Sequence, residues 1–380
     1  MKNPFETDER RAFRESVARF VARDIAPYAD EWDEAGEVPW ELHLKAGALG
    51  LFGFGIEEKW GGLGFDDCFM RAAASQELGG CGASGVFAAL GARNISVGPI
   101  AALGSDEIRA AVLPEVLSGR ESSALAVTEP SGGSDVANLR TRARRDGGDY
   151  VLDGEKTFIT GGMKSRWFVV AARTGGPGLG GISLFLVEAG APGFSRAAMT
   201  RKMGWWASDQ ATLRFEGVRV PARHMLGPQD RGFLAIMHNF NYERLNMVAA
   251  CVGMARRCWR DALDWARQRS TFGKPLIERQ VIRHKFAEMS ARIDAVESYL
   301  HMICWQANEG AMPVPEVSKA KFLATKTLEF VASECMQAMG GAGYMRGNAV
   351  ERTWREVKVM AIGGGSEEIL RDLAARQMGL

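Results

Sequence analysis

A strand-rich segment in the middle of this chain constrains the fold more than any other feature. From about Ser122 to Leu226, β-rich runs are bounded by glycine and proline, and Asp153-Gly154 separates two of them as in a β-hairpin. No part of this segment is long enough to supply the crossover helices of a parallel sheet. An antiparallel β-barrel or sandwich is therefore favoured over a Rossmann sheet.

Both flanks of this segment have helical periodicity instead. Apolar residues recur at three- and four-residue spacing near the N-terminus and again after residue 228, and Pro99 and Pro114 are expected to mark helix boundaries. The sequence thus predicts an α+β multidomain protein with three parts. These are an N-terminal α-helical domain (1–121), a middle antiparallel β-barrel or sandwich (122–228) and a C-terminal four-helix bundle (229–380).

Charge and targeting signals argue against several classes of protein. Lys and Arg total 47 and Asp and Glu total 46, so a net charge of +1 gives no overall field for nucleic acid or an anionic membrane. The sequence contains no run of 18 apolar residues that could span a bilayer, and Met1 to Phe5 lacks the layout of a signal peptide. We therefore expect a cytoplasmic protein whose partners include neither nucleic acid nor a membrane.

Neither a metal site nor a Rossmann dinucleotide site is indicated. The six cysteines include no C-x-x-C pair, and the five histidines include no H-E-x-x-H spacing. Gly176 to Gly181 matches G-x-G-x-x-G by spelling, but the residues that follow it form a strand. A dinucleotide loop must open a helix, so this match is rejected.

The segment from Thr128 to Asp135 (T-E-P-S-G-G-S-D) is a candidate ligand-binding loop. It combines hydroxyl groups, two adjacent glycines and an acid at the entrance to the strand-rich segment. Glycines let a ligand approach backbone N–H groups, and Thr and Ser add donors without bulk. An ordinary surface loop remains the alternative at this point.

Glu243 is the strongest candidate for a catalytic group. It belongs to a single stripe of one helix, with a 4-3-4-3 spacing, that contains Ile236, Phe240, Glu243, Met247, Ala250 and Met254. A carboxylate inside an apolar stripe is expensive to bury, and desolvation raises its pKa towards that of a general base. A structural ion pair with Arg244 or another cation is the alternative, and periodicity alone leaves the two open.

Three further segments lie at expected helix ends. Arg269 to Gly273 and Gln337 to Tyr344 close helices, and helix capping would explain both. Ile362 to Ile369 contains Gly363-Gly364-Gly365 ahead of a last helix, where free backbone N–H groups suit anions or polarised oxygens.

Taken together, these stretches resemble the acyl-CoA dehydrogenase family over essentially the whole chain. The specific matches, in the order found in the family, are Leu125 to Asp135 (L-A-V-T-E-P-S-G-G-S-D), Gly154 to Thr160 (G-E-K-T-F-I-T), Arg269 to Gly273 (R-S-T-F-G), Gln337 to Gly343 and Arg355 to Ile369. One such match could arise by chance, but five in the family's order and layout are specific.

The resemblance implies a homotetramer with FAD bound at a subunit boundary. Residues implied to contact the flavin from one subunit are Leu125, Ala126, Val127, Thr128, Ser134, Phe158, Ile159 and Thr160, with Phe158 standing where many members carry Trp. Residues implied to reach the FAD of a neighbouring subunit are Arg269, Phe272, Gln280, Gln337, Gly340, Gly341, Ser366 and Glu368. Residues implied to contact the acyl-CoA are Ser134, Asn241, Tyr242, Arg244 and Gly365.

The chain departs from the common family pattern at the catalytic base. Many members carry Glu in Tyr-Glu-Gly-Thr, where this chain has Gly363-Gly364-Gly365-Ser366. A subgroup that includes isovaleryl-CoA and long-chain enzymes takes its base from a Glu-Arg-Leu stretch, which corresponds here to Glu243-Arg244-Leu245. The resemblance thus selects the same glutamate as the periodicity, and the ion-pair alternative becomes the weaker one.

The implied activity is FAD-dependent α,β-dehydrogenation of an acyl-CoA, with electrons passing to an electron-transfer flavoprotein. Glu243 would remove the α-proton, and the backbone N–H of Gly364 would help to polarise the thioester. A branched or medium-to-long acyl chain is expected, because the glycines at 363 and 364 leave space near the thioester. An acyl-CoA oxidase or another flavin-dependent oxidase or monooxygenase on the same fold is the alternative.

Overall fold

The computed structural model describes residues 3–380, apart from the side chain of His238. Six helices come first in the described chain. They are α1 (Asp8–Phe20), α2 (Ala29–Ala35), α3 (Trp40–Ala48), α4 (Cys68–Gly79), α5 (Ser84–Leu103) and α6 (Asp106–Leu117). Side-chain caps fix several of their starts, because the Asp67 carboxylate accepts from two N–H groups of α4 and the Ser105 hydroxyl accepts from Ile108 N.

Both prolines expected to mark helix boundaries lie inside helices instead. Pro99 is within α5 and Pro114 is within α6. A proline removes one backbone hydrogen bond, and burial of the surrounding apolar side chains outweighs that loss here. Helix α5 is also long and apolar enough to cross a membrane by length and composition, but half of its most apolar window is buried inside the protein.

The middle part of the chain forms an eight-stranded sheet. Its strands are β1 (Ser123–Ala126), β2 (Arg142–Asp146), β3 (Asp149–Thr160), β4 (Trp167–Arg173), β5 (Ile182–Glu188), β6 (Phe194–Ala198), β7 (Gln210–Pro221) and β8 (Met225–Leu226). The strand order is β6-β7-β3-β2-β4-β5-β8, and β1 pairs with β4 beside this path. The hairpin predicted at Asp153-Gly154 was wrong, because β3 runs through both residues. Strands β2 and β3 do pair as an antiparallel hairpin, but its turn lies at Gly147-Gly148, and Gly154 marks an irregularity in the pairing of β3 with β7.

The predicted order of a helical domain, a middle β domain and a helical domain is confirmed, but the sheet is not antiparallel throughout. Strand β1 runs parallel to β4 from Ser123 against Trp167, and β2 meets β4 in parallel at Arg142 and Arg173, so the sheet is mixed. Within the described residues the strand order also does not close into a barrel. A hairpin of two strands supplies the crossover between β1 and β4, so parallel pairing needs no intervening helix, and periodicity reveals strands without their directions.

The C-terminal part is helical, as the sequence predicts. Its elements are α7 (Gly232–Gln268), a short hairpin of β9 (Ser270–Thr271) and β10 (Lys274–Pro275), α8 (Gln280–Asn308), α9 (Val314–Met339), α10 (Gly341–Tyr344), α11 (Ala349–Ile362) and α12 (Glu367–Gln377). Helix α9 packs against α7, α8, α11 and α12, and α7 also packs against α4 of the N-terminal part. The long helices therefore form a bundle that is continuous with the rest of the protein.

The position of α7 brings Glu243 to the junction of two apolar cores. Ile236, near the start of α7, belongs to the core that the N-terminal helices share with one face of the sheet. Leu245 and the residues after it belong to the core of the C-terminal helices. Glu243 lies between these two points, where the packed parts meet.

Candidate active site

The carboxylate of Glu243 is buried without a partner. Its Oε2 atom is inaccessible to solvent and accepts no hydrogen bond, and no described residue forms a salt bridge with Glu243. Burial raises the pKa of Glu243 to about 7, although the positive charges of Arg244 and Lys321 oppose the shift. The structural ion pair considered from the sequence is therefore absent among the described residues, and the carboxyl group can exchange a proton near neutral pH.

Two nearby cations bind a glycine turn rather than the carboxylate. Arg244 Nε donates to the carbonyl of Gly364 at 2.9 Å, and Lys321 Nζ donates to the carbonyl of Gly365 at 2.9 Å. Both glycines have left-handed backbones, with φ of +66° and +105°, which other residues rarely adopt. The cations therefore fix the shape of the turn between α11 and α12 next to Glu243.

The absence of a side chain at Gly364 leaves space in front of the Glu243 carboxylate. A Cβ atom placed on Gly364 would lie 3.9 Å from Glu243 Oε1 and only 2.9 Å from Met247 Sδ. A glutamate at 364 would clash with Met247 and would compete with Glu243 for the same space. Glu243 thus reaches, from α7, the region that a side chain on the turn would otherwise fill.

The predicted ligand-binding loop, Thr128 to Asp135, is supported by a buried ion pair between Lys156 and Glu129. Lys156 Nζ donates to Glu129 Oε1 at 2.8 Å and to the Val127 carbonyl at 2.9 Å, with both charged side chains at most 3% exposed. The carboxylate of Glu129 also accepts from the backbone N–H groups of Arg140 and Thr141, and from Ser131 Oγ at 3.5 Å. Burial alone would raise the pKa of Glu129, but Lys156 and these N–H groups outweigh it and hold the pKa below its ordinary value.

The ion pair holds the start of the loop and leaves its tip exposed, where a ligand can bind. Residues 131–135 are exposed, and a Cβ on Gly132 would meet no atom within 4 Å. Thr157 N donates to the Thr128 carbonyl at 2.9 Å, which ties the start of the loop to β3. Glycines and hydroxyls at the tip can therefore present donors on a rigid support.

An exposed aromatic ring lies on the strand that supports this loop. Phe158 is 61% exposed and has a left-handed backbone with φ of +57°, which is strained for a residue with a side chain. The pairing of β3 with β7 shifts register between Lys156 and Ile159, so a bulge re-aims the ring. An outward aromatic platform close to hydroxyl and N–H donors fits a planar aromatic cofactor with polar edges, such as the flavin of FAD.

The remaining residues predicted near the flavin differ in what they expose. The side chains of Ala126, Val127 and Ile159 are buried in the core, so only their backbones can face a ligand. The set predicted to serve a neighbouring subunit lies at helix ends and turns of the C-terminal part and has exposed side chains or backbones, except for a half-buried Ser366. Its members are Arg269, Phe272, Gln280, Gln337, Gly340, Gly341, Ser366 and Glu368.

The predicted substrate residues of α7 cluster beside Glu243. Asn241 is buried, and its Oδ1 lies 3.5 Å from Arg244 Nη1. The ring of Tyr242 lies under the guanidinium of Arg71, at 5.0 Å from the ring centre. These residues flank Glu243 along α7, and a Cβ on Gly365 would lie 3.6 Å from Arg244 Nη2, whereas Ser134 lies on the exposed loop tip.

Sequence reasoning missed Lys321 and the partnership of Glu129 with Lys156. Lys321 is fully buried on α9, and burial lowers its pKa to about 8. A lysine at helical spacing from Val317 and Leu328 could have been noticed as a cation in an apolar stripe. No local signal links Glu129 to Lys156, because the two residues are far apart in the sequence.

Profiles of one family match nearly the whole chain. The acyl-CoA dehydrogenase N-terminal domain matches residues 7–120, the middle domain matches 124–218 and the C-terminal domain matches 230–379.

Within the described residues, no group of three or more His, Cys, Asp or Glu side chains could hold a metal ion.

Curated relatives and solved structures agree with these profiles. The chain is 36% identical over 376 residues to the long-chain specific acyl-CoA dehydrogenase of Rattus norvegicus, which covers 98% of this chain and 87% of the relative. It is 32% identical to the isovaleryl-CoA dehydrogenase of Solanum tuberosum, over 98% and 90% of the two chains. A crystal structure of a putative acyl-CoA dehydrogenase from Mycobacterium smegmatis is 41% identical, covers 99% of both chains and has a TM-score of 0.96.

Two further solved structures bear on the cofactor and on the reaction class. A glutaryl-CoA dehydrogenase from Mycobacterium smegmatis in complex with FADH2 is 26% identical, with a TM-score of 0.93 and coverage of 99% and 96% of the two chains. The prolyl acyl carrier protein oxidase AnaB is 27% identical, with a TM-score of 0.92 and coverage of 99% and 100%. The profiles and relatives together establish that this chain belongs to the acyl-CoA dehydrogenase family, whose enzymes use FAD.

Proposed function

We propose that the protein converts an acyl-CoA thioester to the trans-2-enoyl-CoA, with Glu243 as the base that removes the α-proton. The observation that carries this proposal is the buried, unpaired carboxylate of Glu243 in front of the turn at Gly364. A pKa near 7 lets the carboxylate take up a proton at neutral pH, and a buried site without competing partners keeps it available.

Each group around Glu243 has a separate part in this reaction. The α-proton of a thioester is weakly acidic, so charge that develops on the carbonyl oxygen must be stabilised. The backbone N–H of Gly364 is the donor we assign to that oxygen, because Arg244 and Lys321 hold the turn through its carbonyls. When bound, FAD would supply the acceptor for the β-hydrogen, which leaves the substrate as a hydride. The protein therefore supplies the base, the donor and the orientation.

The exposed loop tip and Phe158 are the flavin-binding surface in this proposal. Their rigid support, through Lys156 and Glu129, fits the precise placement that the reaction requires. Residues assigned to the flavin on this surface are Leu125, Ala126, Val127, Thr128, Ser134, Phe158, Ile159 and Thr160. Ser134, Asn241, Tyr242, Arg244 and Gly365 are assigned to the acyl-CoA.

We also propose that further copies of the chain complete the cofactor site in a homotetramer. Phe272 is 97% exposed and sits on a left-handed backbone at the tip of the β9–β10 hairpin, a costly arrangement for an isolated subunit. Val281, Tyr344 and Met345 are also exposed apolar side chains in the C-terminal part. Contact with another subunit would cover such residues and would bring Arg269 and Gln280 to its FAD.

The acyl-CoA class is tested most simply by the colour of the oxidised flavin. Each acyl-CoA of a panel of short, medium, long and branched chains is mixed anaerobically with the yellow protein, and flavin absorbance is followed. We propose that medium-to-long or branched chains bleach the flavin fastest and that an electron-transfer flavoprotein then accepts the electrons. If no acyl-CoA bleaches the flavin, the proposed function is wrong; equally fast bleaching by short straight chains contradicts the expected substrate class.

An acyl-thioester oxidase is the second candidate function, and the similarity to the oxidase AnaB is the observation that favours it. Both reactions need the same α-proton base, so Glu243 does not separate them. Stopped-flow reoxidation of the reduced flavin in air does so. Slow reoxidation supports a dehydrogenase, and reoxidation as fast as turnover supports an oxidase.

The pH dependence of kcat/KM should report the ionisation of Glu243. Only the deprotonated carboxylate can accept the α-proton, so kcat/KM should rise about tenfold per pH unit below about pH 7 and level off above it. Glu356 provides the matched control, because it is also buried and burial likewise raises its pKa to about 7. The rising limb should persist in Glu356→Gln, and its disappearance there would reassign the ionisation.

Gly364→Ala should slow the reaction because the new methyl group would lie in front of the Glu243 carboxylate, where the substrate must bind. The Cβ atom would lie 3.9 Å from Glu243 Oε1, and Met247 must move to admit it. We expect kcat/KM to fall roughly 10- to 100-fold, as small misplacements of reacting groups do. Gly310→Ala is the control for backbone strain, since Gly310 has φ of +85° and no atom within 4 Å of an added Cβ. Equal effects of the two substitutions would contradict the assignment.

A further inference from the structure

Two cysteine thiols lie in contact where the N-terminal helices meet the C-terminal bundle. Cys68 is the first residue of α4, and its Sγ lies 3.1 Å from the Sγ of Cys304, near the end of α8. The two residues are 3% and 0% exposed, and both are free thiols in this structure. They are 236 positions apart in the sequence, so the contact arises only in the folded protein.

Hydrogen bonds hold the two thiols in one arrangement. Cys68 Sγ donates to Cys304 Sγ, and Cys304 Sγ donates to the carbonyl of Cys68 at 3.6 Å. The backbone N–H of Cys68 donates to Asn308 Oδ1 at 2.8 Å, one turn further along α8. Three contacts between the same two helix ends, inside a close-packed core, leave the sulfur atoms little freedom to separate. The pair is therefore preorganised for chemistry that joins the sulfurs.

A bond between these sulfurs requires only a small movement. The S–S bond of a disulfide is about 2.0 Å long, so the two atoms must approach each other by about 1 Å. A well-ordered atom already fluctuates by about 0.9 Å. Among the described residues no other two cysteine sulfurs are hydrogen-bonded to each other, since Cys81 donates to the carbonyl of Ala83 and Cys335 lies against Met289.

Aromatic side chains close this region to bulky reagents. Phe69, which follows Cys68, stacks against Phe5 with the ring centres 5.2 Å apart, and the ring of His301 lies 5.9 Å from that of Phe69. The guanidinium of Arg10 lies over the other ring contact, at 4.2 Å from the centre of the Phe69 ring. Only a small oxidant can therefore reach the thiols, and Cys68 is the more exposed of the two.

The environment of the pair makes its oxidation slow. The hydrogen bond with Cys68, together with burial, raises the pKa of Cys304 well above its ordinary value. A thiol is far less nucleophilic than a thiolate, so such a residue resists brief exposure to oxidant. The pair is thus suited to respond to sustained oxidation.

We propose that hydrogen peroxide converts Cys68 and Cys304 to a disulfide that joins α4 to α8. The sulfur of Cys68 attacks one peroxide oxygen, the O–O bond breaks, and a sulfenic acid and one water are formed. The sulfur of Cys304 then attacks the Cys68 sulfur, and the hydroxyl group leaves with the Cys304 proton as a second water. Two thiols are oxidised, and one peroxide is reduced to two waters.

The cross-link stabilises the packing of α4 on the helix that carries Glu243. Helices α4 and α7 are in close backbone contact, since a Cβ on Gly253 would lie 2.0 Å from the carbonyl of Gln76. Arg71, within one turn of Cys68, lies over the ring of Tyr242. A disulfide that closes so long a loop strongly restricts the unfolded chain, so the oxidised protein is harder to unfold. In a reducing compartment such a bond is transient, and the stabilisation is reversible.

The test treats the FAD-loaded protein with hydrogen peroxide and identifies the products by mass spectrometry after digestion. We expect two peptides joined through Cys68 and Cys304, lighter by two hydrogens than the free peptides and separated by dithiothreitol. The midpoint of thermal unfolding should rise by roughly 2–6 °C and return after reduction. Recovery of the two residues as free thiols, or with added oxygen and no cross-link, would overturn the proposal.

Cys304→Ala and Cys335→Ala are the matched variants. Both cysteines are fully buried in C-terminal helices, but the Sγ of Cys335 lies 3.5 Å from the sulfur of Met289 and not against a second thiol. Peroxide should raise the unfolding midpoint of Cys335→Ala as it does for the wild-type protein and should leave that of Cys304→Ala unchanged. An equal rise in both variants would contradict the proposal. If a variant fails to fold, the peptides from the wild-type protein still decide.

Discussion

Glu243→Gln is expected to lose most turnover while keeping its cofactor and ligand. Glutamine has the same shape but cannot accept the α-proton, so kcat should fall about 10²–10⁴-fold, the usual contribution of a general base. No described residue depends on the carboxylate for a hydrogen bond, so the fold and the binding of FAD should be preserved. Rapid-mixing measurement of flavin reduction checks this, with the dissociation constant for the enoyl-CoA product as the control for binding.

The same substitution should stabilise the protein at alkaline pH. Burial raises the pKa of Glu243 from 4.5 to about 7, so between these values the folded protein holds a proton that the unfolded chain has released. The stability of the wild-type protein therefore falls as pH rises through this window, and the cost is complete above pH 7. Because Oε2 is fully buried while the residue as a whole is only half-buried, we expect this cost to be on the order of 1–3 kcal/mol.

Unfolding in denaturant at two pH values measures this effect. Glu243→Gln should exceed the wild-type protein in unfolding free energy at pH 8, whereas the two should be similar at pH 5. If Glu243→Gln is more stable but less active than the wild-type protein, the carboxylate serves the reaction at the expense of stability and is not a structural group. A variant that is less stable at pH 8 would mean that the carboxylate has a stabilising partner.

Lys156→Met is expected to have the largest effect on stability. It leaves the buried carboxylate of Glu129 without its cation and removes the bond to the Val127 carbonyl. Breaking a buried ion pair in this way typically costs about 3–5 kcal/mol. The loop that begins at Thr128 loses its support, so FAD should also dissociate more readily.

Arg219→Met is the matched control for this loss of charge. Arg219 pairs with Asp146 at 2.6 Å on the same sheet, but both side chains are about half exposed, so the substitution should cost less than about 1 kcal/mol. Denaturant unfolding and retained flavin absorbance are compared for the two variants. Equal losses would show that the pair formed by Lys156 and Glu129 does not anchor the loop.

The sequence predicted the parts of the fold that depend on local patterns. The order of helices, strands and helices follows from periodicity, and the apolar stripe around Glu243 is a pattern of one helix. The directions of strands did not follow, because β1 pairs in parallel with β4 only through tertiary arrangement. The helix boundaries predicted at Pro99 and Pro114 were wrong for the same reason, since the packing of α5 and α6 outweighs the local preference of proline.

The same distinction applies to the site: residues marked by a local pattern could be predicted, and contacts between distant segments could not. Glu243 and the glycines at 364 and 365 could be predicted, because a carboxylate in an apolar stripe and a run of glycines are unusual in themselves. Their apposition needed the structure, since α7 and the turn after α11 are far apart in sequence.

The central claim, that Glu243 removes the α-proton of an acyl-CoA, is tested most directly by hydrogen exchange at that carbon. An acyl-CoA analogue with sulfur in place of the β-carbon cannot be dehydrogenated, so only deprotonation is observed when it is incubated with the enzyme in deuterated water. Mass spectrometry should find deuterium at the α-carbon with the wild-type protein, rising with pH through about 7, and almost none with Glu243→Gln. Exchange with Glu243→Gln as fast as with the wild-type protein would contradict the claim.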